Sequence, residues 1–328
     1  MSLLDRYQRL ITYLRVSVTD RCNLRCVYCM PAEGIPLRPH EEILRYEEIE
    51  RVVRTGVAMG IRFVRLTGGE PLVRRGLTDL VRMLRAIPGL EELTMTTNGT
   101  LLAAHAQALV EAGLDRINIS LDTLRPDRFR RISRLGKLGD VLTGIEAAEE
   151  AGLVPLKLNM VVMRGLNDDE VADLARLTLE HPWHVRFIEL MLLGRAMSWQ
   201  KSRYVPIPEV RQRVEAVLGP LSSVQGPRGN GPARTFQLEK GLGTVGLITP
   251  WNQPFCSSCN RLRLTADGRL RPCLLSDIEV DLRAPLRSGA REGELRRLIE
   301  RAVDLKPMSH HLAEMGGPLG RAMVEIGG

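Results

Sequence analysis

A chain of 328 residues, 44% of them apolar, is long enough to fold as one large domain and a smaller one with buried cores. Aromatics at 4% argue against base-stacking platforms for single-stranded nucleic acid, and no apolar run approaches the length of a membrane span. The 46 basic against 39 acidic side chains leave a formal +7, which suits an anionic small molecule at least as well as a polynucleotide.

The segment Met1 to Asp20 has no apolar signal region, so a cytoplasmic protein is expected. Six strand-like runs then alternate with helical ones: Thr12–Val18, Arg62–Leu66, Leu93–Thr97, Arg116–Leu121, Leu156–Val162 and His184–Leu190. Between them, Leu77, Leu80, Val81 and Leu84 have the spacing of one buried helical face. Strands separated by helices predict parallel β/α units, and six are too few for a closed eight-stranded barrel. The expected fold is therefore α/β, an incomplete (β/α)6 TIM-type barrel over residues 1–205, followed by a smaller α+β domain over 206–328. The boundary is placed near Tyr204–Pro208. A helix over Pro208–Leu218, a mobile Gly/Pro-rich loop at Gly226–Pro232, strands at Arg234–Leu238 and Thr244–Ile248, and a helix at Glu294–Val303 complete the expectation.

Alternation along the strands gives one face a polar character. Tyr13, Arg15 and Ser17 share a face; so do Thr94, Thr96 and Asn98, then Asn118, Ser120 and Asp122, then Lys157 and Asn159. Strands buried on both sides of a parallel sheet usually read as continuous apolar runs. Helices can cover the apolar face here, so the polar face is expected to line an interior that holds a polar ligand.

The six cysteines form two triplets: Cys22, Cys26 and Cys29 as C-x3-C-x2-C, and Cys256 and Cys259 as C-x2-C with Cys273 after a gap of 13 residues. Reduced thiols in a cytoplasmic protein read as metal ligands rather than disulfides. A structural zinc or an ordinary four-iron cluster takes four protein ligands. Three thiolates on a four-iron cubane leave one iron open, so each triplet suggests a reactive site carrying a [4Fe-4S] cluster. The competing reading of the first triplet is a zinc site completed by His40.

The first triplet follows the first strand, has Tyr28 just before its last cysteine, and is followed at the end of the second strand by Thr67-Gly68-Gly69-Glu70-Pro71. This combination resembles the radical S-adenosylmethionine (SAM) superfamily. The resemblance implies a SAM-binding cluster on Cys22, Cys26 and Cys29, with the glycine segment near the methionine moiety. Asp20-Arg21-Cys22, Met30-Pro31, Thr96-Thr97-Asn98-Gly99, Phe187-Ile188-Glu189, Phe255-Cys256-x-x-Cys259-x-Arg261-x-Arg263, Cys273 and the terminal Gly327-Gly328 extend it over nearly the whole chain. Together they are similar to the GTP-cyclising family of molybdenum cofactor biosynthesis. That likeness implies a second [4Fe-4S] cluster on Cys256, Cys259 and Cys273. It implies GTP contacts from Arg15, Arg65, Thr96, Lys157, Arg261 and Arg263, and SAM contacts from Tyr28, Gly69, Ser120 and Met191.

By the same likeness the Gly327-Gly328 tail enters the active site. An electron donor and a downstream cyclic pyranopterin monophosphate synthase follow as partners, and a homodimer stays open; neither nucleic acid nor membrane is expected. Arg186 is a further candidate for phosphate. Strict alternation would put it and Met191 on opposite faces, so both assignments require a bend at the strand end. The competing functions are a peptide-modifying radical SAM enzyme with an auxiliary cluster and a zinc-dependent nucleic-acid-binding protein.

Overall fold

A computed structural model describes residues 3–191, 197–226, 231–250, 255–310 and 320–327. The six expected strands form as β1 (Tyr13–Ser17), β2 (Phe63–Thr67), β3 (Glu92–Thr97), β4 (Arg116–Ser120), β5 (Lys157–Val162) and β6 (His184–Glu189). Each starts or ends within two residues of its expected bound. They pair in parallel in chain order, as strands joined by helical crossovers do. The intervening helices include α1 (Tyr46–Met59), α2 (Leu77–Arg85), α3 (Ala106–Glu111), α4 (Pro126–Ser133), α5 (Leu138–Glu150) and α6 (Val171–Glu180).

Apolar burial fixes which side of the sheet the helices cover. Leu77, Leu80, Val81 and Leu84 of α2 are all buried, as their spacing predicts. They join one core with the outward residues Val64, Leu66, Leu93, Met95, Ile117, Ile119, Leu158, Met160, Val185 and Phe187 of the strands. Burying each such side chain contributes about 1.5–3 kcal/mol, so the strands cannot turn over without forfeiting many of these terms together. The alternate residues are thereby committed to the inner face.

The C-terminal part continues the same sheet. After α7 (Met197–Arg203) and α8 (Ile207–Leu218) come β7 (Leu221–Ser223), β8 (Arg234–Leu238) and β9 (Thr244–Ile248). Then follow β10 (Arg261–Leu264), β11 (Arg269–Arg271), β12 (Val280–Asp281), α9 (Arg283–Arg287), α10 (Glu292–Asp304) and the short α11 (Met323–Ile326). The sheet order is β12-β11-β10-β1-β2-β3-β4-β5-β6-β9-β8-β7. β9 adds in parallel beside β6, and β10 adds in parallel beside β1. The expected partial barrel is thus extended on both edges, and the sheet stays open between β9 and β10. β8 and β11 run antiparallel outside these, giving the α+β character of the C-terminal part. In the loop expected at Gly226–Pro232, residues 227–230 lie outside the described residues.

Candidate functional site

The inner face closes around one cavity of about 350 Å³, and all six cysteines stand on its wall. Topology puts the triplets at opposite ends. Cys22, Cys26 and Cys29 follow the C-terminal end of β1. Cys256 and Cys259 precede β10, which is parallel to β1, and Cys273 follows β11, which is antiparallel to it. The second triplet therefore sits where β1 begins. Asn260 pins it there: its carbonyl accepts from the Thr12 and Tyr13 amides at 3.2 and 3.1 Å, and its side chain donates to Thr12 Oγ1 at 3.0 Å.

The first cysteine loop is braided with the glycine segment. The Gly69 amide donates to Thr19 O and the Glu70 amide to Arg21 O, both at 2.8 Å. A Cβ on Gly69 would lie 2.2 Å from Arg21 O, so this glycine is required by the chain itself. The position of the missing Cβ is taken by the cysteine loop, and Gly69 also lines the cavity. Glu70 knots the same region, its carboxylate accepting from Thr97 Oγ1 at 2.7 Å, the Leu72 amide at 3.0 Å and the Asn98 amide at 2.7 Å. Burial pushes Glu70 up to about 7. Tyr28 donates its hydroxyl to Asp122 Oδ2 at 2.6 Å, and burial pushes Asp122 up to about 6. Burial also raises the Cys22, Cys26 and Cys29 thiols.

The donor sets fit iron–sulfur clusters. Cys22 Sγ accepts from the Leu24 amide at 3.4 Å and faces Asn98 Nδ2 at 3.9 Å, and Cys273 Sγ accepts from the Leu275 amide at 3.4 Å. Such N–H···S bonds orient and tune cluster thiolates. Among the described residues no three His, Cys, Asp or Glu converge as ligands of one ion. A cluster does not need that convergence, because each thiolate holds a different iron. His40 is exposed and off the cavity wall, so nothing in the fold brings it to the first triplet as a fourth ligand.

Between the two ends the wall is cationic. Register sets Arg263, Arg15 and Arg65 side by side on β10, β1 and β2. Arg261 stacks over Phe255 with 4.9 Å to the ring centroid. Burial, then Arg263, pushes the Arg15 guanidinium down. Burial, then Arg261, pushes Arg263 down to about 10. Burial, then Arg65, pushes Arg186 to about 9. Arg186 is only 8% exposed, and its Nε and Nη2 have no partner among the described residues. Gly246 gives it room: a Cβ there would lie 2.7 Å from Arg186 Cγ. Among the described residues, no carboxylate pairs with Arg65, Arg186 or Arg263. Cations that are buried, as Arg186 and Arg263 are, or half-buried, as Arg65 is, fit an anionic ligand when no counter-charge stands beside them.

Most sequence-predicted residues meet on this wall: Arg15, Arg65, Arg186, Arg261, Arg263, Thr96, Tyr28, Gly69, Ser120 and Met191 with the cysteines. Arg186 and Met191 both reach it because β6 ends at Glu189, before Met191. Lys157 does not line the cavity. It lies at the start of β5, in register with His184 and with Asn118, which does line the cavity; there burial, then Arg116, Arg186 and Arg65, push Lys157 down to about 7. The tail does reach in. Met323 and Val324 line the cavity, and Gly327 O accepts from Arg263 Nη1 at 3.2 Å, while Gly328 lies outside the described residues. Arg321 holds the tail through Asp267, with both oxygens at 3.0 Å, and Glu279 at 2.7 Å.

Sequence reasoning missed Lys306, Arg9 and His310. Lys306 donates to Pro272 O at 2.7 Å, Arg261 O at 2.8 Å and Cys259 Sγ at 3.5 Å. Burial raises the Cys259 thiol, but Lys306 and Arg261 outweigh it and hold the thiol below its ordinary value. Lysine is rare in this chain, five in all, and that rarity was the available signal for Lys306. Nothing local marks Arg9, and His310 reaches the wall from beyond α10.

Comparison with known proteins finds two family matches along the chain. Residues 16–178 match the radical SAM superfamily, and residues 183–312 match the molybdenum cofactor synthesis C-terminal family. The chain is 55% identical to the GTP 3′,8-cyclase of Pelotomaculum thermopropionicum and 56% identical to that of Moorella thermoacetica, over 99% of both sequences in each case. Its fold is similar to that of Streptococcus suis SuiB bound to S-adenosylmethionine, with a TM-score of 0.57 at 14% identity, covering 89% of this chain and 69% of that one.

Proposed function

The chain belongs to the GTP 3′,8-cyclase family of the radical SAM superfamily, and from that membership we propose that it converts GTP to (8S)-3′,8-cyclo-7,8-dihydroguanosine 5′-triphosphate, an early step of molybdenum cofactor biosynthesis. The observation that carries the reading is one cavity walled by both cysteine triplets, with five arginines between them, of which Arg65, Arg186 and Arg263 pair with no carboxylate among the described residues. A cluster held by Cys22, Cys26 and Cys29, with SAM bound to it, would supply the radical chemistry that removes hydrogen from C3′ of the ribose and lets C3′ bond to guanine C8.

The protein's own residues bind, orient and shield. Cys22, Cys26 and Cys29 hold the SAM cluster; Tyr28, Gly69, Ser120 and Met191 line the SAM end. Cys256, Cys259 and Cys273 would hold a second four-iron cluster at the nucleotide end of the cavity, where it could bind the guanine. Arg15, Arg65, Arg186, Arg261 and Arg263, with Thr96, take the ribose and triphosphate as guanidinium forks take phosphate. Lys157 adds charge from behind that wall. The tail enters the nucleotide end through Gly327, whose carbonyl meets Arg263. Residues 1–205 act as the SAM unit and 206–328 as the auxiliary unit. A cytoplasmic setting, an electron donor and hand-off to a cyclic pyranopterin monophosphate synthase belong to the same proposal. No helix among the described residues is long and apolar enough to cross a membrane.

Anaerobically reconstituted protein should be brown, with about eight irons per chain from two four-iron clusters. Incubated with GTP, SAM and a reductant, it should form 5′-deoxyadenosine and the cyclised nucleotide in equal amounts, read by mass spectrometry. Colourless protein containing zinc, or deoxyadenosine formed with no change in GTP, would refute the reading.

A further inference from the structure

Lys306 follows α10 and is only 3% exposed, yet no carboxylate pairs with it among the described residues. Its three N–H bonds go to Pro272 O, Arg261 O and Cys259 Sγ. Two of these acceptors are neutral. A buried ammonium is costly without an anion beside it, and the one acceptor here that can carry a full negative charge is the Cys259 thiolate.

The backbone beyond Lys306 ties the rest of the triplet. Arg9 is also buried, its Nε held by Asp5 at 2.6 Å. It donates to Cys256 O at 2.7 Å, Pro307 O at 2.7 Å and Met308 O at 3.1 Å. The limbs carrying Cys256, Cys259 and Cys273 thus meet two cations from opposite ends of the chain. Arg9 holds the first limb. Lys306 holds the second by its sulfur and the third by the carbonyl of Pro272, next to Cys273.

We propose that Lys306 is the resident counter-cation of the second iron–sulfur site and that, with Arg9, it fixes where the three thiolates stand. The inference rests on the two-cluster reading above. A charge-assisted N–H···S bond stabilises the more negative, reduced state of a cluster and so raises its reduction potential. Lys306 is a positioning residue: it reaches the nucleotide end only through Cys259 and the Arg261 carbonyl.

The second site can be observed alone in a chain carrying Cys22→Ala, Cys26→Ala and Cys29→Ala, reconstituted anaerobically. This parent should hold about four irons per chain. Lys306→Met keeps an aliphatic chain of similar length and removes the ammonium. In the parent background it should lose most of this iron, or keep it with an altered paramagnetic spectrum and a lowered midpoint potential; Lys306→Arg should fall between. A parent without iron overturns the two-cluster reading itself. A parent with iron whose spectrum, iron content and midpoint potential survive Lys306→Met overturns only the present inference. Arg9→Gln gives an independent arm should Lys306→Met fail to fold. It should lower iron content with a smaller shift of midpoint potential than Lys306→Met, because Arg9 bonds carbonyls rather than a sulfur there, and full iron retention in it would overturn the positioning role.

Discussion

The two cysteine triplets share one cavity but not one electrostatic setting. Around Cys22, Cys26 and Cys29 the buried charged groups are acidic: Glu70 and Asp122, the latter bonded to Tyr28. All three thiols are raised, by burial first and by nearby acids or thiols after it. Around Cys256, Cys259 and Cys273 stand Arg9, Arg261, Arg263 and Lys306, and Cys259 is lowered although burial still raises Cys256. SAM carries a sulfonium and an ammonium, and GTP carries a triphosphate. An acid-lined end suits the first and a cation-lined end the second, so the contrast in charge would favour SAM at one end of the cavity and GTP at the other.

Removing thiols should break the comparison most severely. Cys22→Ala, Cys26→Ala and Cys29→Ala together should abolish deoxyadenosine formation, whereas Cys256→Ala should keep SAM cleavage and lose the cyclised nucleotide. Equal loss of both products in Cys256→Ala would mean that the two ends do not have separate tasks. Single charges sharpen the contrast. Arg263→Ala should cost about 1.5–3 kcal/mol of GTP affinity, the worth of a hydrogen bond to a charged group, and leave SAM affinity intact. Asp122→Asn should do the reverse with a smaller effect, and calorimetric titration of each ligand reads both.

The subtlest probe is pH. Lys157 of the unliganded protein loses its charge as pH rises through about 7, while a phosphate above it favours the charged form. GTP affinity should therefore fall as pH rises past that value, by at most tenfold per unit for one proton, with proton uptake on binding. Lys157→Arg should flatten the profile. A wild-type profile that is flat from pH 7 to 9 would remove Lys157 from the nucleotide site.

The barrel was legible because strand alternation is local. Arg15, Thr96, Ser120 and Asn159 reach the cavity because their neighbours carry the apolar face. Arg234–Leu238 and Thr244–Ile248 match their expected bounds. What stayed hidden depends on contacts far apart in the chain. Nothing local says that β9 and β10 join opposite edges of the sheet. Arg9 lies 247 residues from the cysteine carbonyl it holds. Gly69 was noticed for its motif, yet the reason for its missing side chain is a crossing with Arg21 that only the folded loop reveals. Lys157 has the expected face and is in register with Asn118, which lines the cavity, yet it is not itself on the wall: alternation fixes the side of a strand and says nothing about where a long side chain ends.

The placement of β9 and β10 also bears on how such an enzyme can be taken apart. Consecutive along the chain, they bracket the six-stranded core from both flanks like the jaws of a clamp. A core cut free of them would bare two parallel edges, each a template for pairing with a stranger. The auxiliary portion is thus no detachable accessory, and a chimera that borrowed it from a relative would have to import both seams at once.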